Sequence, residues 1–388
     1  MHLKTMLWLW GTLALLLASC EKQTITQVDA PLQVAEALGG GSAEGYARAV
    51  EVRPFQFPLD HGPHPEFRNE WWYFTGNLST ASGRRFGYQF TLFRTALAPL
   101  DPRPNQTAWE QNQVFMGHFA LTDVASGKFH FAERFSRDAL GLSGAQAQPF
   151  QVWLEDWSVS GDGSRRELPM RLVAEEGPVR MELDLIAEKP MVLQGNQGLS
   201  QKGGEAGNAS YYYSYTRLKA SGSVTVEGET LPVNGSSWMD REWSTSALES
   251  GQAGWDWFAL QLSDGSELMY YQLRLEDGRP DRTSAGVRVF PEGGTTKLSS
   301  EDVELTPLGF WESPHTGARY PSGWRLQSRD GSVDLQIQPV LKDQELRVTV
   351  HYWEGAVDIQ GTASGKPVSG QGYVELTGYT PASLLGKR

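Results

Sequence analysis

Glu70-Trp71-Trp72-Tyr73-Phe74-Thr75-Gly76-Asn77-Leu78, a turn at Ala81-Ser82-Gly83 and a return over residues 85–94 decide the fold class. In the return segment Phe86, Tyr88, Phe90 and Leu92 alternate with Gly87, Gln89 and Thr91. That period of two puts rings on one face of a strand, so the pair reads as an antiparallel hairpin. Residues 115–122, a turn at 123–127 and residues 128–135 form a second hairpin, and shorter strands are expected at 151–154, 170–174, 179–186, 211–218 and 222–226. The second half follows the same pattern, with residues 255–262 and 267–275 flanking Asp264-Gly265, a tight hairpin signal. Further strands are expected at 287–290, 297–305, 323–328, 332–340, 346–352 and 370–376, and no long stretch has a helical period.

One internal echo gives the domain organisation. Tyr73-Phe74-Thr75-Gly76-Asn77-Leu78 followed by Tyr88-Gln89-Phe90-Thr91-Leu92 is matched by Trp257-Phe258-Ala259-Leu260-Gln261-Leu262 followed by Tyr271-Gln272-Leu273-Arg274-Leu275. Self-similarity of this kind points to two related β domains, at 51–245 and 246–388. The expected fold is all-β, two tandem antiparallel barrels. A barrel of about eight strands encloses room for side chains or one small ligand. An aromatic-lined cup with a few polar groups, here Gln89, Thr91, His118 and Gln272, suits a hydrophobic small molecule.

The chain begins with an export signal. Lys4 precedes the apolar run 7–17, which is shorter than the roughly 20 residues that a membrane-spanning helix needs. The run ends in Leu17-Ala18-Ser19-Cys20, the order of a bacterial lipobox, and Cys20 is the only cysteine of 388 residues. Cleavage after residue 19 and acylation of Cys20, with palmitate-type chains, would make a lipoprotein anchored in the bacterial cell envelope. Glu21, where aspartate signals inner-membrane retention, favours the periplasmic face of the outer membrane. Residues 20–50 read as a tether. A net charge of −12 repels phosphate backbones, which argues against nucleic acid as a partner.

The densest chemistry lies in Ser237-Trp238-Met239-Asp240-Arg241-Glu242-Trp243. In an extended strand Trp238, Asp240 and Glu242 share one face, and Met239, Arg241 and Trp243 the other. Charges among indoles are costly unless paired or functional. Arg241 can tie the strand to a carboxylate elsewhere, and Glu70 is a buried carboxylate if it points inward. Alternatively Asp240 is an acid whose apolar surroundings favour the protonated, donating form. No zinc-protease, nucleophile-elbow, phosphate-loop or dinucleotide signature occurs, and the seven histidines are scattered, so neither metal nor cofactor is expected.

Asn69-Glu70-Trp71-Trp72-Tyr73-Phe74-Thr75-Gly76, Gly117-His118-Phe119-Ala120, Tyr211-Tyr212-Tyr213-Ser214 with Thr216-Arg217, and Trp238-Met239-Asp240-Arg241-Glu242-Trp243 resemble the AttH-like family. That family shares its fold with carotenoid 1,2-hydratase (hydroxyneurosporene synthase). The likeness spans residues 55–380 and implies two packed lipocalin-like barrels. Members often accompany an ABC transporter with large periplasmic permease domains. In the hydratase an aspartate two residues after a tryptophan protonates a terminal isoprenoid double bond, and Trp238 and Asp240 match that spacing. The hydratase's upstream histidine has no counterpart, because that stretch holds the Tyr211–Tyr215 cluster.

The first functional expectation is an envelope lipoprotein that binds or hands over a lipid- or isoprenoid-like molecule, alongside a transporter permease. Trp71, Tyr73, Gln89, His118, Tyr213, Glu242 and Trp243 are its ligand-binding candidates. The alternative is a hydro-lyase or cyclase in which Asp240, with Trp238, is the general acid. A ligand-free envelope scaffold is the third reading.

Overall fold

Strands that bury both faces carry few polar residues, which explains why aromatic side chains crowd the first hairpin without a clean polar alternation. The computed structural model describes residues 43–100, 112–161, 169–245 and 248–380. The export segment and Cys20 lie outside the described residues.

The first sheet opens with a four-strand meander: β1 (Asn69–Ser79), β2 (Arg85–Ala96), β3 (Gln113–Asp123) and β4 (Lys128–Arg137). A second meander follows in β5 (Ser143–Ala147), β6 (Phe150–Leu154), β7 (Trp157–Ser160), β8 (Met170–Glu176) and β9 (Val179–Ala187). The short β10 (Val192–Leu193) and β11 (Leu199–Gln201) precede a long hairpin of β12 (Ala209–Val226) and β13 (Glu229–Ser244). That hairpin joins the two meanders, giving the order β4-β3-β2-β1-β13-β12-β9-β8-β7-β6-β5.

The second sheet repeats the plan. Its strands are β14 (Gln252–Leu262), β15 (Glu267–Leu275), β16 (Ala285–Val289), β17 (Thr295–Ser299) and β18 (Val303–Pro307). After a separate two-stranded ribbon, β19 (Phe310–Glu312) and β20 (Arg319–Pro321), come β21 (Trp324–Ser328), β22 (Val333–Pro339) and β23 (Glu345–Arg347). The closing hairpin is β24 (His351–Ala363) with β25 (Lys366–Leu376), and the order is β17-β16-β15-β14-β25-β24-β22-β21-β18. The chain is therefore all-β, two tandem lipocalin-like antiparallel barrels packed together, and the aromatic echo falls on β1–β2 and β14–β15.

Three sequence expectations change, the first at 346–352, which divides into β23 and the start of β24, two strands that pair with each other. Residues 211–218 and 222–226 belong to one strand, β12, which absorbs a register shift between Tyr215 and Leu218 rather than breaking. Residues 297–305 divide into β17 and β18, because Asp302 accepts both the backbone N–H of Ser299 at 2.8 Å and its hydroxyl at 2.6 Å, closing a turn.

Among the described residues four apolar clusters result, the smallest formed by Ala120, Leu346, Val350 and Tyr352. Trp72, Phe74, Tyr88, Phe90, Phe119 and Trp157 are among the side chains filling the first barrel. Phe258, Trp324, Leu335, Ile337 and Trp353 do so in the second. A third cluster lies between the sheets, where Tyr73, Tyr212, Trp238, Trp257, Tyr271 and Tyr373 meet. Neighbours on one strand therefore part company: Trp72 enters the first barrel, and Tyr73 faces the second sheet.

Candidate active site at the interface of the two sheets

The register of the first sheet aligns His118, Thr91, Tyr73, Asp240 and Ser214 in one row across five strands. Side chains directly opposite across antiparallel strands share a face, and this row faces the second sheet. The adjacent row holds Ala120, Gln89, Thr75 and Trp238. Another contains Phe93, Trp71, Glu242 and Tyr212.

Asp240 is 4 % exposed. Its Oδ1 accepts bonds from Ser214 Oγ at 2.5 Å and Trp238 Nε1 at 2.7 Å, and its Oδ2 one from Tyr212 OH at 2.5 Å. Burial among these rings pushes the carboxyl up to about 7, against the pull of its three donors. Both hydroxyl donors can turn and accept instead, so the site accommodates the protonated acid as well as the carboxylate. Trp257, from the second sheet, stands edge to face with Trp238 at 6.2 Å and donates its Nε1–H to Tyr212 OH at 3.4 Å.

Three more carboxyls face the same interface. Glu242 pairs with Lys202 at 3.2 Å, and that ammonium lies 4.2 Å from the centre of the Tyr271 ring. Glu375 on β25 is half-buried and accepts Trp255 Nε1–H at 2.9 Å. Its cross-strand neighbour Glu354 on β24 is wholly buried and accepts Tyr73 OH at 2.9 Å on Oε2. Burial, reinforced by the charge of Glu375, holds Glu354 well above the usual carboxylate range. Among the described residues no group of His, Cys, Asp and Glu side chains is arranged to hold a metal ion.

The opposite face of β13 solves burial differently. Arg241 points into the first barrel, over the Trp72 ring at 4.0 Å, and pairs with Glu70, which also pairs with Arg94. Although Glu70 is wholly buried, these two guanidiniums and His64 hold it far below the usual carboxylate range. Trp243 stacks on His64 at 3.8 Å, and Tyr213 OH meets His61 Nδ1 at 2.7 Å.

The residues singled out from the sequence thus divide. Trp238, Asp240, Glu242, Trp71, Tyr73, Gln89 and His118 share the interface face, with His118 at the far end of its row, between Tyr352 OH at 2.6 Å and Glu133 at 3.0 Å. Tyr213 and Trp243 are not brought to them; both pack inside the first barrel, because alternation turns them away from Asp240. Tyr212, Ser214, Lys202, Trp255, Trp257, Glu354 and Glu375 join the site without having been singled out. For Trp257 and Glu375 the available signals were the echo with Tyr73 and a lone carboxylate between Val374 and Leu376.

Residues 48–379 match the AttH-like family. Over 251 residues the chain is 25 % identical to the kievitone hydratase of Fusarium solani subsp. phaseoli, covering 61 % of this chain and 68 % of that one. The crystal structure of an AttH from Nitrosomonas europaea is 37 % identical, with a TM-score of 0.75 over 86 % of this chain and 100 % of that one. Kievitone hydratase from Nectria haematococca shares the fold at 19 % identity and a TM-score of 0.64, over 87 % of this chain and 97 % of that one. The chain belongs to the AttH-like family.

Proposed function

We propose that this protein is a hydratase of a hydrophobic, isoprenoid-like alkene, with Asp240 as its proton donor. One observation carries the reading: a carboxyl raised to about 7 stands among indoles and hydroxyls at the interface of two sheets. A general acid works best when its pKa lies near the operating pH. Transfer of the Asp240 proton to the less substituted carbon of a trisubstituted alkene leaves a tertiary cation. Trp238 and Trp257 can stabilise that cation through their rings, and water then forms the C–O bond. Capture by a second double bond instead would make the same site a cyclase.

The hydratase relative moves this reading ahead of simple binding and hand-over, the first expectation from the sequence. Leu17-Ala18-Ser19-Cys20 supports an envelope setting, with the body tethered through Cys20 beside a transporter permease. Incorporation of labelled palmitate that disappears in Cys20→Ala tests the tether.

For the chemistry, the full chain is incubated with kievitone, geraniol, farnesol and squalene, and products are examined for added water. Turnover by the wild type, with Asp240→Asn slower by about a hundredfold or more and still folded, is expected. Equal rates for the two proteins, or no hydrated product from any of the four, would sink the proposal.

A further inference from the structure

The two sheets meet through counterpart strands, since β14 pairs with β15 and β25 as β1 pairs with β2 and β13. When Tyr73 is matched with Trp257, as in the aromatic echo, Asp240 and Glu375 become counterparts. Asp240 lies directly opposite Tyr73, and Glu375 directly opposite Trp257. A reciprocal pair of contacts fixes the same match independently. Asn77 Nδ2 donates to the Gly372 carbonyl at 3.0 Å, and Gln261 Nε2 donates to the Ser237 carbonyl at 3.0 Å. Asn77 and Gln261 occupy equivalent positions after Tyr73 and Trp257. Ser237 lies opposite Gly76, and Gly372 opposite Leu260, which are equivalent too. The interface therefore has a local two-fold relation, and Tyr73 and Trp257 meet edge to face at 5.2 Å.

The counterpart carboxyls are not equally furnished. Asp240 is almost sealed and receives three donors, whereas Glu375 is half-buried and receives one from Trp255. The groups whose charges or hydrogen bonds act on Glu375 or feel its charge are Asp240 and Glu242 on β13, Glu354 and Tyr352 on β24, Tyr73 on β1 and the Trp255 indole of β14. Of the carboxylates, Glu242 is held by Lys202, and Glu354 is sealed, its Oε1 lacking any partner in the structure. That orphan oxygen leaves Glu354 short of donors, which favours its protonated form. Burial raises Glu375 to about 8, and the charges of Asp240 and Glu242 add to the rise.

We infer that Glu375 is the catalytic partner of Asp240, accepting the proton of the water that adds to the substrate. The inference rests on the hydratase reading. In the forward step the alkene π pair takes the Asp240 proton, forming a C–H bond and leaving a carboxylate. A water oxygen forms the C–O bond to the cation, and the proton it sheds passes to the Glu375 carboxylate. Product then carries one added water, and the pair retains one proton in total. Because Glu375 is raised above Asp240, the shared proton rests mainly on Glu375, and the productive form, with the proton on Asp240, is the minor one. Return of the proton to Asp240 resets the site, where Glu375 is partly exposed.

The test compares wild type, Glu375→Gln and Glu375→Asp as full chains with kievitone and the three terpenoids above. The Gln variant keeps the size of the side chain and an oxygen for Trp255 Nε1–H. It should lower kcat by about a hundredfold with KM within roughly threefold. It should also lose the acid-side limb of the pH profile, which Glu375→Asp should retain. A wild-type kcat and profile in the Gln variant, or loss of that limb in a folded Asp variant, overturns the assignment. Carboxyl-carbon NMR of the resting protein supplies a readout without substrate: Asp240→Asn should lower the titration midpoint of Glu375, and an unmoved midpoint overturns the pairing. Absence of turnover in the wild type overturns the hydratase reading instead, and the NMR titration then decides alone whether the two carboxyls are paired.

Discussion

Two faces of β13 show two ways of burying charge. Inside the first barrel, Glu70 and Arg241 sit with Arg94 and His64 in a network where opposite charges lie in contact. On the interface face of the same strand, Asp240 has hydroxyl and indole donors and, among the described residues, no ion pair. The first arrangement locks its carboxylate in the charged form, and the second leaves a proton that can come and go. Both faces are rich in aromatic rings, so apolar surroundings alone do not make a reactive group. What separates them is whether a guanidinium touches the carboxyl.

The sharpest break of that contrast is Glu70→Gln. It leaves Arg94 and Arg241 buried without their carboxylate and should cost about 3–5 kcal/mol, read from urea denaturation at neutral pH. A loss below about 1 kcal/mol would mean the network does not hold the barrel. Next comes the pH dependence of stability. The Asp240 contribution is fully present below about pH 4, its unfolded value, and is lost as pH rises through about 7. Asp240→Asn should therefore flatten a decline on the order of a few kcal/mol across that window. Glu70 has the opposite sign: its depressed value stabilises the fold above the ordinary carboxylate range and is lost on acidification. Denaturation midpoints measured from pH 3 to 8 should show the two slopes, and parallel curves for Asp240→Asn and wild type would remove the contrast. The smallest effect is expected from Tyr73→Phe, which strips Glu354 of its donor and should cost about 1–2 kcal/mol in thermal or urea unfolding.

Hairpins and the division of Trp238–Trp243 between two faces were legible because alternation in a strand is strict. Of the two readings of this stretch, Arg241 does tie the strand to Glu70, whereas Asp240 as an acid is the reading proposed above for the opposite face. Which face is which was not legible. Trp71 and Trp72 are equally aromatic, and a strand buried on both sides gives no polar signal to orient it. Tyr213 and Trp243 looked like ligand contacts for that reason, yet they pack with Phe55 inside the barrel. The contribution of the second sheet was also hidden, because Glu375 and Glu354 lie in strands whose facing partner is set by docking of the two sheets rather than by neighbours in the chain.

In each sheet the hairpin that bears the acids is also the clasp. Among the described residues the backbone pairing of the meanders β1–β4 and β5–β9 runs through β12 and β13, and β24–β25 does the same work in the second sheet. Such distant pairings form late and slowly. On the proposed reading a nascent chain would thus be chemically mute until its last clasp shuts, and maturation of the proposed pair would keep time with completion of the fold.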